Sequence, residues 1–272
     1  MIKLIISDLD GTIIRDDNRC DPSTPAVLRQ LRPYGVRFAV CTGRPVSSMK
    51  HMIAEWGLEG LTDYIIGSNG GEVFNTATGE TDHYNYLSVE TIRDIIDLYE
   101  PLGLIPALYD GPVLYVQKIT DVTTYLTMKI GVEQRQGDIR TLLKEPQAKY
   151  LMPLPRELMP KTEQFIKDHP DPRYIVFKSA TVLVEMTDPS LNKGTGLEHI
   201  MEKEGITADE VIAFGDMPND IPMLKLAKYS VCMETGSPDT LEAARYTAKS
   251  VLDNGFADWL QEHLRGNEII KE

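Results

Sequence analysis

Asp8-Leu9-Asp10-Gly11-Thr12 follows the apolar run Leu4-Ile5-Ile6, so two carboxylates two positions apart stand where a buried strand should end. Positions i and i+2 of a strand share a face. Both acids are then expected to look into the crevice beyond the carboxyl edge of a sheet, where open α/β folds place ligands. Adjacent carboxylates repel unless a cation lies between them or one takes a proton. The pentad therefore fits a Mg²⁺ site, a nucleophile beside an acid/base, or both. Asp-Gly is also a common turn signal, and the same five residues could be a plain loop ending a strand.

Three further segments end strands or open helices on what should be the same edge. Cys41-Thr42-Gly43-Arg44-Pro45 offers a hydroxyl and a glycine N–H ahead of a helix, a setting that suits an anion. It reads equally as an ordinary cap with proline in the first turn. Asn192-Lys193-Gly194-Thr195-Gly196 puts a lysine at a helix start, against the dipole. There it could offset phosphate charge or pair with Asp8; a solvated lysine is the plainer alternative. In Gly215-Asp216-Met217-Pro218-Asn219-Asp220 a strand over 211–214 delivers Asp216 to the edge. Asp220 follows four residues on, where it could also cap the next helix. With Asp8 and Asp10 this makes four carboxylates expected on one edge, hard oxygen ligands of the kind Mg²⁺ takes.

The elements that must position these residues alternate. Strands are expected over 3–8, 36–41 and 64–67, with helices over 25–34 and 45–56 between them. Such alternation implies right-handed crossovers and a parallel sheet. From about Tyr84 the texture changes: a helix over 89–99, a hairpin around Asp110-Gly111-Pro112, a strand over 148–154, a helix over 156–168, and a second hairpin over 173–186. This reads as an α+β insert with its own antiparallel sheet. The first texture returns after Asn192, with a helix over 194–203, strands over 211–214 and 229–233, and a helix starting near Thr240. The fold class expected is α/β: a Rossmann-like parallel-sheet core over 1–83 and 188–272, interrupted by an α+β domain over 84–187.

Composition excludes some functions. The 272 residues are 42% hydrophobic and 25% charged, ordinary for a globular chain. A formal net charge of −13 argues against broad nucleic-acid binding, which needs a basic face. It leaves small phosphorylated substrates open, because a bound divalent cation reverses the local field. Cys20, Cys41 and Cys232 form no CxxC pair, and the five histidines form no HxxxH or HExxH pattern, so neither a disulfide framework nor a zinc site is expected. No signal peptide and no run of ~20 apolar residues is seen, which points to the cytoplasm and to no membrane partner.

Taken in order, Asp8-Leu9-Asp10-Gly11-Thr12, Thr42-Gly43-Arg44, Asn192-Lys193-Gly194 and Gly215-Asp216-Met217-Pro218-Asn219-Asp220 resemble the haloacid dehalogenase superfamily of phosphohydrolases. The insert between the second and third motifs resembles the Cof-type branch with a C2B cap, and the resemblance covers essentially the whole chain. It implies that Asp8 is the nucleophile that forms an aspartyl-phosphate. Asp10 would protonate the leaving oxygen and later activate water, with its backbone carbonyl on Mg²⁺. Leu9, Thr42, Gly43, Lys193 and Asn219 would hold the phosphoryl group. Asp8, Asp10 and Asp216 would ligate the metal, and Asp220 would orient the metal's waters or Lys193. Asn69 and Arg44 match positions near the substrate. In the insert, Lys149, Lys178, Ser179 and Glu185 stand at strand positions that could face the crevice, Lys178 and Glu185 as substrate contacts. The expected activity is Mg²⁺-dependent hydrolysis of monoesters of small metabolites such as sugar phosphates, nucleotides or cofactor phosphates, by a monomer or homodimer. A phosphomutase of the same superfamily and a non-catalytic phospholigand-binding protein are the rivals. A dehalogenase is disfavoured, having no use for Asp10.

Overall fold

The computed structural model describes residues 1–270; residues 271 and 272, at the end of the expected core segment 188–272, lie outside them. The chain divides into two compact units, Met1–Asp82 with Asn192–Glu272, and His83–Leu191.

The discontinuous unit opens with β1 (Leu4–Ser7), α1 (Ser23–Leu31), β2 (Arg37–Cys41), α2 (Val46–Glu55), β3 (Tyr64–Gly67), β4 (Glu72–Asn75) and β5 (Thr81–His83). Every residue of β1 is buried, as expected of a strand covered on both faces of a parallel sheet. The strand stops at Ser7, so Asp8 and Asp10 lie beyond it rather than within it. Ser68 (φ 50°) and Asn69 (φ 56°) turn the chain in the left-handed region, and β4 runs back antiparallel to β3. The sheet is thus not purely parallel, contrary to the alternation pattern, because the left-handed turn at Ser68-Asn69 sends the chain back where a crossover helix was expected.

The insert contains α3 (Val89–Tyr99), β6 (Ala107–Asp110), β7 (Val113–Val116), α4 (Asp121–Ile130), β8 (Glu133–Gln136), α5 (Ile139–Leu142), β9 (Tyr150–Pro153), α6 (Met159–Asp168), β10 (Ile175–Ala180) and β11 (Leu183–Thr187). Its sheet runs β10-β11-β9-β6-β7-β8. One face, with Tyr150, Met152, Val184 and Met186, packs on α3 through Ile92, Ile95 and Ile96 and on α6 through Met159. The other carries Ala107, Leu114, Leu151 and Leu183 and meets Leu126 of α4. The sheet is not wholly antiparallel as expected, since β7 and β8 pair parallel across α4. That helix escapes an apolar-periodicity reading because its buried face includes Thr123 and Thr127 beside Leu126. A reciprocal Thr120–Thr123 box caps it.

The chain then returns with α7 (Lys193–Glu204), β12 (Val211–Gly215), α8 (Ile221–Leu226), β13 (Tyr229–Met233), α9 (Pro238–Ala243), β14 (Tyr246–Ala248) and α10 (Gly255–His263). The core sheet has the order β14-β13-β12-β1-β2-β3-β4-β5. Strands β14 to β3 in that order are parallel. On one face Ile5, Phe38, Val40, Ile212 and Phe214 join residues of α1, α2 and α10 in a single apolar core. Helices α7 and α8 pack on one another, with α8 also against β12 and β13. Because β1, β2, β3 and β12 are parallel, the loops after them leave one edge of this sheet. Those loops begin with Asp8, Thr42, Ser68 and Asp216.

Candidate active site

Asp8, Asp216 and Asp220 each bring a carboxylate oxygen within 4.8 Å of the others, and all three are buried. Lys193, 1% exposed, donates from Nζ to Asp8 Oδ1 and, at 2.5 Å, to Asp220 Oδ1. The lysine reaches this place because it is the first residue of α7, whose start is held by a reciprocal Asn192–Thr195 box. With all three buried acids ionised against one buried ammonium, the cluster would carry a net charge of −2. Burying charge without a counter-charge is costly.

The proton affinities reflect that excess. Burial pushes the Asp8 carboxyl well above the usual range; Lys193 offsets part of this, while Asp220 and Asp216 add to it. Burial, reinforced by Asp220, raises Asp216 to about 6. Lys193 is held charged by Asp8 and Asp220 despite its burial. A divalent cation would balance the charge, and hard oxygens are the donors Mg²⁺ prefers. The group fits, but not through Asp220. One oxygen of Asp220 takes the lysine and the other accepts the backbone N–H groups of Asp216 (2.9 Å) and Met217 (3.0 Å). Asp220 therefore orients Lys193 and folds its own loop, leaving Asp8 and Asp216 as the side chains that could hold an ion. Nor does its side chain cap α8.

Asp10 lies outside this cluster. Its side chain is 57% exposed and pairs with Arg44 Nη2 at 2.7 Å. The expectation of four converging carboxylates is corrected to three, because the chain leaves β1 before Asp8 and the alternation of a strand no longer applies. Gly11, at φ +88°, makes the sharp turn. A Cβ there would come within 2.5 Å of Asp216 Oδ2, so the glycine also clears space for that carboxylate.

Thr42 is buried; its N–H donates to Ile66 O at 2.8 Å and its Oγ1 accepts from Arg44 N at 3.2 Å. Pro45, not Thr42, holds the cap position of α2. A Cβ on Gly43 would meet Asn69 Oδ1 at 3.3 Å, which puts the two residues side by side. Asn219 Nδ2 lies 3.5 Å from the same oxygen. The Leu9 side chain is in the core, so its contribution to an anion would come from the backbone.

Two residues escaped sequence reasoning. Thr12 Oγ1 stands 3.5 Å from Asp8 and 3.4 Å from Asp216, bridging the two acids. Its place in the pentad was the available signal. Glu72 Oε2 accepts from Val46 N (2.8 Å) and Ser68 Oγ (3.1 Å), bracing the start of α2 against the Asn69 turn. No local pattern announces a contact that spans 26 residues.

Within the insert, Glu185 stands opposite Phe177 and Leu151, whereas Lys178 stands opposite Val184. They point to opposite faces, which corrects the expectation that both could meet one ligand. Lys178 pairs with Glu163 of α6 at 3.3 Å. Glu185 forms a buried pair with Lys149 at 3.2 Å. Ser179 is exposed, at a register shift between β10 and β11.

A family model described as haloacid dehalogenase-like hydrolase matches residues 5–260. A 5-amino-6-(5-phospho-D-ribitylamino)uracil phosphatase of Bacillus subtilis is 26% identical over 270 residues, covering 96% of this chain and 97% of its own length. A haloacid dehalogenase-like hydrolase from Bacteroides thetaiotaomicron superposes with TM-score 0.88 at 24% identity, covering 97% of this chain and all of its own. A sugar phosphatase of HAD subclass IIB shares the fold, with TM-score 0.80 at 20% identity, 96% of this chain and 98% of its own being covered. Among the described residues no helix is long and apolar enough to cross a membrane.

Proposed function

Since the chain belongs to the haloacid dehalogenase-like hydrolases, within their phosphatase branch, we propose that it is a Mg²⁺-dependent phosphohydrolase acting on monoesters of small metabolites through an aspartyl-phosphate on Asp8. The observation that carries this reading is the buried set Asp8, Asp216 and Asp220 around Lys193, two charges short of neutrality when all three acids are ionised. A phosphate monoester is itself anionic, and a carboxylate attacks it poorly unless positive charge shields the repulsion.

When bound by Asp8, Asp216 and the Asp10 carbonyl, Mg²⁺ supplies that shielding and polarises the phosphoryl oxygens. The chain's own residues do the rest. Lys193 holds the attacking carboxylate by one oxygen, leaving Oδ2, near Thr12, to attack. Asp220 keeps the lysine in place. The Thr42 hydroxyl and the N–H groups of Leu9 and Gly43 hold phosphoryl oxygens, with Asn219 and Asn69 at their side. Asp10 delivers a proton to the leaving oxygen and later takes one from the attacking water.

The insert supplies substrate choice in this reading, with Glu185 among its polar groups. Sugar phosphates, nucleotides and cofactor phosphates are the candidate classes; the Bacillus relative named above acts on a ribityl phosphate. The protein works in the cytoplasm, as monomer or homodimer, with thiols that are all unpaired. Purified protein should hydrolyse p-nitrophenyl phosphate with Mg²⁺, lose the activity in EDTA and recover it with excess Mg²⁺. Ranking a panel of phosphorylated metabolites by kcat/KM then names the substrate. Turnover indifferent to EDTA would refute the metal's role. Dependence on a bisphosphate activator would favour the mutase. Tight phosphate binding without turnover would favour the sensor, which has no need of the Asp8–Lys193 arrangement.

A further inference from the structure

We propose that Arg44 is a positioning residue for Asp10, an inference that rests on the phosphatase reading. Asp10 is the exposed residue of an otherwise largely buried loop after β1, and Arg44 is its one side-chain partner among the described residues, Nη2 to Oδ1 at 2.7 Å. The arginine is far better anchored than the acid. Its N–H donates to Thr42 Oγ1 at 3.2 Å, its carbonyl accepts from Ser68 N at 2.9 Å, and Nη1 lies 3.4 Å from Met52 Sδ. Its side chain is 24% exposed against 57% for Asp10.

An exposed ion pair of this kind adds little to folding stability. What it does is orient. A guanidinium is planar and permanently charged, and it presents donors in a fixed fork. It thus fixes the rotamer of a carboxyl group that would otherwise turn freely in water. Proton transfer needs donor and acceptor within hydrogen-bond reach, so the orientation of Asp10 bears on chemistry and not on binding. In the first step the Asp8 oxygen bonds to phosphorus as the bond from phosphorus to the leaving oxygen breaks. The electron pair stays on that oxygen, and a proton carried on Oδ2 of Asp10, the oxygen Arg44 leaves free, goes to it. Arg44 acts by holding Asp10 where that proton can be passed. This differs from a direct hold of Arg44 on the substrate.

The leaving group separates the two roles. For a phosphatase, kcat/KM reports the steps up to departure of the leaving group, and p-nitrophenolate departs without a proton. The test measures kcat/KM for p-nitrophenyl, phenyl and p-methoxyphenyl phosphate, and inhibition by inorganic phosphate, in wild type, Arg44→Ala and Arg44→Lys. The expected result is a loss on the order of tenfold or more for the two poorer leaving groups and within about twofold for p-nitrophenyl phosphate, part of a typical acid-catalysis contribution. Phosphate inhibition should be unchanged, and Arg44→Lys should fall between. An equal loss across all three esters with weaker phosphate inhibition would overturn the proposal in favour of direct substrate contact, and no loss at all would also overturn it. If thermal unfolding shows that Arg44→Ala has lost its fold, the charge-keeping Arg44→Lys decides by the same criterion. Failure of the phosphatase reading is visible separately, as wild type that turns over none of the esters.

Discussion

Lys193 carries the charge balance of the site, since both its acidic partners are buried with it. Breaking a buried pair by removing one partner typically costs about 3–5 kcal/mol, so Lys193→Met should lower the urea unfolding free energy by roughly that amount and abolish turnover. A variant of near wild-type stability would show that Asp8 and Asp220 take up protons without strain and that the lysine is dispensable to the fold. Asp8→Asn keeps the shape of the side chain and removes the nucleophile. Turnover should fall on the order of 10³-fold or more while the melting midpoint holds; retention of a tenth of the activity would exclude Asp8 as nucleophile. At this scale the sequence was legible where a side chain sits at the end of an element. Asp8, Asp216 and Lys193 are of that kind. It was illegible where a role depends on a distant partner, as with Glu72 on Val46, or on which side a short chain turns once its strand has ended, as with Asp10.

At the scale of elements, loop ends rather than strand interiors set the geometry. A Cβ on Gly215 would fall 2.5 Å from the Asp220 Cβ, so the end of β12 and the start of α8 close on one another there. Gly215→Ala should displace Asp220, and with it Lys193, lowering kcat far more than it raises KM. Unchanged kcat would show that the Asp220–Lys193 contact does not govern the attack. Strands β1, β2, β3, β12 and β13 were legible because each is a largely apolar run bounded by helix or turn signals; β14, three residues with a half-exposed start, offered no such run. The reversal into β4 and the helix α4 were not legible either. The first rests on two residues in left-handed conformation, the second on threonines that pack as apolar groups.

At the scale of the molecule, each unit has its own apolar core. The chain's two tryptophans, Trp56 and Trp259, both belong to the discontinuous unit. Tryptophan fluorescence therefore follows the unit that holds the acids. The Asp216 carboxyl titrates near 6 folded against an ordinary value of 3.8. Between those values the folded chain binds more protons than the unfolded one, so this acid's contribution to metal-free stability falls as pH rises through that window. Asp8 has the same sign. A cation that replaces those protons should raise the fluorescence midpoint more at about pH 8 than at about pH 5. Equal Mg²⁺ shifts at both would place the metal elsewhere. All of this converges on Asp8 as the group that takes the phosphoryl. The direct measurement is mass spectrometry of peptides from protein acid-quenched during Mg²⁺-supported turnover of p-nitrophenyl phosphate. The account predicts phosphate on the peptide containing Asp8 and none in EDTA. Turnover that leaves Asp8 unmodified while phosphate appears on another residue would contradict it.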